Sequence, residues 1–128
     1  MRDGSTRTLN GHGAGVTCLK YLRDTPGQLV SGSSNGELFH WNATDGEIIT
    51  RLGNHGNQVT GVCITQRDEE VISSGKDGKT IYQKIDGTHI HTFTEANSHN
   101  CCDVTSDDRF LLVGTDNSRI VIWNTETK

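Results

Sequence analysis

The chain has 128 residues, a formal net charge of -4, 15 glycines and one proline, and 31% of its residues are of hydrophobic type. That length fits one ordinary domain. Mild acidity without a Lys/Arg cluster argues against a nucleic-acid partner, and the lack of a long apolar run argues against a membrane span.

The opening "MRDGSTRTLN" has no apolar core and is no secretory signal. A cytoplasmic location is therefore expected, with the nucleus as the alternative. The four cysteines, Cys18, Cys63, Cys101 and Cys102, form no C-x-x-C pair and read as reduced, small buried strand residues. Adjacent Cys101 and Cys102 point to opposite faces of a strand, which disfavours shared chelation.

Taken along the chain, "DGSTRTL" (3–9) reads as a strand, followed by "VTCLKY" (16–21) and the polar turn "LRDTPGQ". "LVSGSS" then leads into Asn35-Gly36 and "ELFHW", and "DGEIITRL" (45–52) closes the set. The order recurs. "VTGVCI" (59–64), "VISSGK", Asp77-Gly78, "KTIYQ" and "DGTHIHTF" (86–93) form a second set. "HNCCDV" (99–104), "LLVGTD", Asn117-Ser118 and "RIVIW" form a third. An Asn-Gly or Asp-Gly pair between alternating strands is a strong hairpin signal, because both central residues need positive φ. Units of about forty residues with four short strands describe propeller blades. One four-stranded sheet cannot bury both faces, but stacked sheets bury each against a neighbour.

The expected fold class is therefore all-β, with blades of four antiparallel strands and three blades' worth in this chain. Residues 1–9 supply an outer strand that completes another blade. Repeat one spans 10–52, repeat two 53–93, and repeat three, without its last strand, 94–128. Three blades make an arc, and its end faces need cover. Either the remaining blades of a larger propeller or a second copy of the chain provides it, and degenerate repeats favour the first.

These residues resemble the WD-repeat family of β-propellers. Gly11-His12, "LVSGSSNGELFHW", "LLVGTDNSRIVIW", Trp41-Asn42 and Trp123-Asn124 carry the likeness. The resemblance implies a buried polar network per blade: His12, Ser31, Asn35 and Trp41 in the first; His55, Ser73 and Asp77 in the second, with Gln83 for the tryptophan; Asn117 and Trp123 in the third, with Val113 for the serine. Asn has one acceptor oxygen where Asp has two, so weak blades are expected unless local partners step in. His12 with Ser31 suggests a hydrolase pair, but no G-x-S-x-G frame surrounds the serine and a structural lock is the expectation. His89 and His91 share a strand face, but two more metal ligands are not evident.

The resemblance also implies a rigid platform for other proteins, not an enzyme, with no cofactor or metal. Rim positions are Gly15, Gln58 and Ser98, before each first strand, and Ser34, Lys76 and Asp116, before each hairpin turn. With no Trp, Tyr or Arg among them, a weak or broad interface is expected. "GHGAGVTCLKY", "SGSSNGELFHWNATDGE" and "NHGNQVTGVCIT" further resemble the actin-interacting WD-repeat proteins that assist cofilin in filament disassembly, which makes actin a candidate partner. The alternatives are an adaptor subunit of another complex and, from a different class, a propeller enzyme of the hydrolase or lyase type.

Overall fold

A computed structural model of the chain describes residues 8–23, 25–52, 55–65, 69–94, 98–105, 109–116 and 118–124. These hold eleven strands: β1 (Val16–Tyr21), β2 (Gln28–Ser33), β3 (Leu38–Asn42), β4 (Glu47–Arg51), β5 (Val59–Ile64), β6 (Glu70–Gly75), β7 (Lys79–Lys84), β8 (His89–Thr94), β9 (His99–Val104), β10 (Phe110–Thr115) and β11 (Ile120–Asn124). Each strand pairs antiparallel with its sequence neighbour, giving the sheets β1-β2-β3-β4, β5-β6-β7-β8 and β9-β10-β11. The all-β class and its blades are as expected from the sequence. Among the described residues no helix is long and apolar enough to cross a membrane. Of the expected first strand, residues 1–7 lie outside the described set, and Thr8 and Leu9 carry no strand pairing. Asn117 also lies outside it.

The turns hold the registers. Gly36, Gly78 and Ser118 occupy equivalent places in the β2–β3, β6–β7 and β10–β11 hairpins, and all have positive φ, at 93°, 77° and 67°. Gly36 is doubly constrained, since a Cβ there would lie 2.2 Å from the carbonyl oxygen of His55. The first hairpin thus abuts the chain entering the second blade, and the His55 amide donates to the Gly36 carbonyl at 3.0 Å.

Alternation sends odd and even strand residues to opposite faces. One face of the first blade puts Val30 and Leu38 against Val62, Ile64 and Val71 of the second. The other face of the second blade puts Cys63, Ile72 and Tyr82 against Leu111 and Val113 of the third. The effect of cover is visible at equivalent positions. Val62 and Ile64, covered by the first blade, are 9% and 4% exposed, whereas Leu19 and Tyr21, in the same registers of the first blade, are 61% and 53% exposed. Fully burying such a side chain stabilises by about 1.5–3 kcal/mol, so stacking dominates the energetics.

A second joint recurs between blades. Each inner strand has a register shift near its start, between Val16 and Cys18, Val59 and Gly61, and opposite Gly114/Thr115. The residue skipped in each of the first two is a threonine, and a bulge re-aims its side chain. Thr17 Oγ1 donates to the Val59 carbonyl of the next blade, and Thr60 Oγ1 donates to the His99 carbonyl at 2.6 Å.

Candidate functional site

In the first blade the loop before β1 carries His12 over the sheet. Its ring stacks on Phe39 at 4.3 Å and tilts against Trp41. Trp41 Nε1 donates to Ser31 Oγ at 2.7 Å, and that oxygen lies 2.7 Å from His12 Nε2. On the far side, His12 Nδ1 faces Glu37 Oε1 at 3.3 Å. A carboxylate only accepts, so Nδ1 carries the hydrogen and the Ser31 hydroxyl donates to Nε2.

The carboxylate is a correction. Asn35 was expected to face His12, but its side-chain oxygen instead accepts from the Ser33 hydroxyl and from the Glu37 amide. An amide has one acceptor oxygen, and the hairpin uses it locally. Glu37, two residues on, reaches His12 and also accepts from the Gly13 amide at 2.8 Å. The Gly13 amide is the chief cause of a Glu37 pKa below the ordinary carboxylate value, with Asn35 and His12 adding to it. The partner missing by Asp-to-Asn replacement is thus supplied from nearby. The signal was the acid in "NGE", where the second blade has Lys79 and the third Arg119.

In the second blade Ser73 Oγ donates to His55 Nε2 at 2.9 Å, and His55 Nδ1 donates to Asp77 Oδ1 at 3.0 Å. Asp77 also accepts from the Gly56 amide at 2.9 Å and the Lys79 amide at 3.2 Å. Burial pushes the Asp77 pKa upward, but the Gly56 amide and His55 outweigh it and hold the group below its ordinary value. Gly75 makes room for the network, since a Cβ there would lie 2.4 Å from His55 Nδ1. Gln83 is buried in the tryptophan's place.

The third blade differs. Val113, fully buried, occupies the serine position, and Trp123 stacks on Phe93 of the second blade at 4.8 Å. His99, which the sequence reading passed over, is fully buried, bonds Thr80 Oγ1 at 2.8 Å and tilts against Trp123. It spans two blades, and no spacing within a single repeat points to it.

These networks are poor catalysts by geometry. Ser31 and Ser73 are 4% and 0% exposed, and the Ser31 oxygen already accepts from an indole. His89 bonds Thr92 and His91 packs on Phe93. Among the described residues no group of three or more His, Cys, Asp or Glu side chains is placed to hold a metal.

The six rim positions fall into three pairs at one end of the stack. The Ser34 amide donates to the Gly15 carbonyl at 2.8 Å, the Lys76 amide to Gln58 at 2.9 Å, and the Asp116 amide to Ser98 at 3.1 Å. Ser98 Oγ also donates to the Lys76 carbonyl at 2.9 Å, joining the second and third pairs. Gly15, Ser34, Lys76 and Asp116 are exposed, while Gln58 and Ser98 are half-buried.

Stacked meanders of four, four and three described strands, each with a loop residue tied to its hairpin, define a β-propeller segment. The family described as "WD domain, G-beta repeat" matches residues 4–42 and 87–124, more than half of the chain. The chain belongs to that WD-repeat family. Residues 43–86, which include β5, β6, β7 and Gln83, lie between the two matched stretches. The chain is 31% identical over 92% of its length to the Arabidopsis thaliana U3 snoRNP-associated protein-like EMB2271, covering 24% of that protein. It is 27% identical over 92% of its length to the Oryza sativa small ribosomal subunit protein RACK1y, covering 35%. The crystal structure of RRP9 WD40 repeats superposes with a TM-score of 0.87 at 17% identity over 94% of this chain and 38% of that one, a likeness of fold. The chain therefore spans about a quarter to two fifths of the length of the proteins it matches.

Proposed function

We propose that these blades form a protein-interaction platform within a larger propeller and work as an adaptor in a multiprotein complex. The observation that carries this reading is the rim: three backbone-tied pairs, one per blade, offering polar side chains from a stiff sheet scaffold. Lys76 and Asp116 are its exposed charges, and a partner with complementary charge would read them. The test is affinity capture from a cell extract with the parent chain and with Lys76→Glu/Asp116→Lys. Proteins held by the parent and lost by the variant, at unchanged thermal stability, support the rim. An identical set on both overturns it.

Further blades of the same polypeptide are the proposed cover for the end faces. Leu19 and Tyr21 at one end and Ile120 and Ile122 at the other are exposed where equivalent positions inside the stack are buried, and the matched relatives are longer. Light scattering on the 128-residue chain then finds broad self-association, reduced by Leu19→Lys/Ile120→Lys. A discrete particle of twice the 14.0 kDa chain mass would favour a two-copy ring instead.

Actin as the partner, in the cytoplasm, rests on residue likeness in the first two repeats alone. Cosedimentation with filamentous actin tests it, and a chain left wholly in the supernatant ends it. The matched relatives are named for a snoRNP and a ribosomal subunit, so RNA-containing particles belong in the same capture experiment despite the chain's acidity. An enzymatic role would show as turnover without retained proteins.

A further inference from the structure

Cys63 on β5 and Cys102 on β9 come from neighbouring blades, and their sulfur atoms lie 3.8 Å apart. Both are free thiols. We propose that this pair is a modification site, a latent disulfide that a peroxide closes to staple the second blade to the third.

The close approach is built into the strands. Gly61 faces β9, and a Cβ there would lie 3.2 Å from the Cys102 amide and 3.4 Å from Cys101 Cα. The Thr60 hydroxyl, donating to the His99 carbonyl, clamps the same two strands. The junction between the first and second blades has the same architecture but carries Lys20 and Val62 at the equivalent positions, so the thiol pair is particular to this joint. Bridging requires the sulfurs, on strands of two facing blades, to close to about 2.05 Å.

The two thiols are unequal. The hydrogen bond between them, then burial, raises the Cys63 pKa, while the same bond lowers that of Cys102 by stabilising its thiolate. Cys102 is also the more exposed of the two. Its thiolate attacks one peroxide oxygen, the O–O bond breaks, and hydroxide leaves and takes up a proton as water. Cys63 sulfur then attacks Cys102 Sγ, gives up its proton, and displaces the sulfenic oxygen as a second water. Two electrons pass from the thiol pair to hydrogen peroxide. The product fixes the spacing between rim pairs Gln58/Lys76 and Ser98/Asp116, which the Ser98–Lys76 bond already links.

The experiment treats the protein carrying Cys101→Ser, which removes the exposed neighbouring thiol, with hydrogen peroxide. Peptide mapping under non-reducing conditions reads the result. The expected outcome is a Cys63–Cys102 cross-linked peptide, reversed by dithiothreitol, with the melting temperature raised by roughly 5 °C or more because the bond closes a loop of about 40 residues. Cys63→Val, a small apolar replacement, abolishes both the cross-link and the rise. Recovery of Cys63 and Cys102 as free thiols, or as separate over-oxidised residues, from protein that remains folded by circular dichroism overturns the proposal.

Discussion

The first and second blades carry the same His–Ser pair and close it with different residues. In the first, Trp41 donates to the serine and Glu37, 27% exposed at its side chain, receives from the histidine. In the second there is no indole, and Asp77, 12% exposed, takes the histidine and two backbone amides. Both carboxylates accept from the amide that follows the histidine, Gly13 in one blade and Gly56 in the other. What the lock requires is therefore a carboxylate that reaches a histidine and a loop amide together. Hairpin position alone does not decide which residue provides it. The first network leans on aromatic packing, and the second leans on charge and backbone.

That contrast can be broken residue by residue. The largest effect is expected at Trp41→Ala, which removes a fully buried indole and leaves a cavity, at a cost of about 3–5 kcal/mol in urea unfolding. Trp41→Phe, which loses chiefly the bond to Ser31, should cost only about 1 kcal/mol. Next comes Gly75→Ala. The added Cβ would meet His55 Nδ1 at 2.4 Å and Asp77 Oδ1 at 2.7 Å, so a loss of about 1–3 kcal/mol is expected from a single methyl group.

Asp77→Asn sharpens the comparison through pH. Its folded pKa is depressed, so its contribution is complete above the ordinary value of 3.8 and is lost as pH falls through the lower folded value. The parent chain should exceed the variant by about 1 kcal/mol at neutral pH, a figure reduced for solvent screening, and the gap should close below about pH 4. Thermal melts from pH 3 to 7 measure it. Glu37→Gln should show a smaller gap, as its carboxylate is the more exposed. The smallest effect is a gain. Ser118 holds φ at 67° where the other two hairpins have glycine, so Ser118→Gly should stabilise by about 0.5–1 kcal/mol.

Much of the fold was legible from local chemistry. "VTCLKY", "VTGVCI" and "HNCCDV" coincide with β1, β5 and β9, because alternation and polar turns bound them on both sides. Gly15, Gln58 and Ser98 were placed before each first strand for the same reason, but their backbone bonds to Ser34, Lys76 and Asp116 appear only in the structure. Glu37 was missed because repeat alignment pointed to Asn35, whereas reach and acceptor count favour the longer side chain. Cys101 was read as a small buried residue. It is exposed, because its face of β9 is turned away from the second blade.

Sequence by itself settled which strands pair within each sheet, because hairpin turns and a two-residue period act over a few neighbouring positions. Tertiary structure alone decided what lies between the sheets: the threonine hydroxyls aimed at the next blade's carbonyls, His99 wedged against Thr80 and Trp123, and two sulfurs brought together from positions 63 and 102. Such contacts join residues about twenty to forty apart, and they depend on how closely two faces can approach. A glycine at 61 permits that approach, and no local pattern announces it.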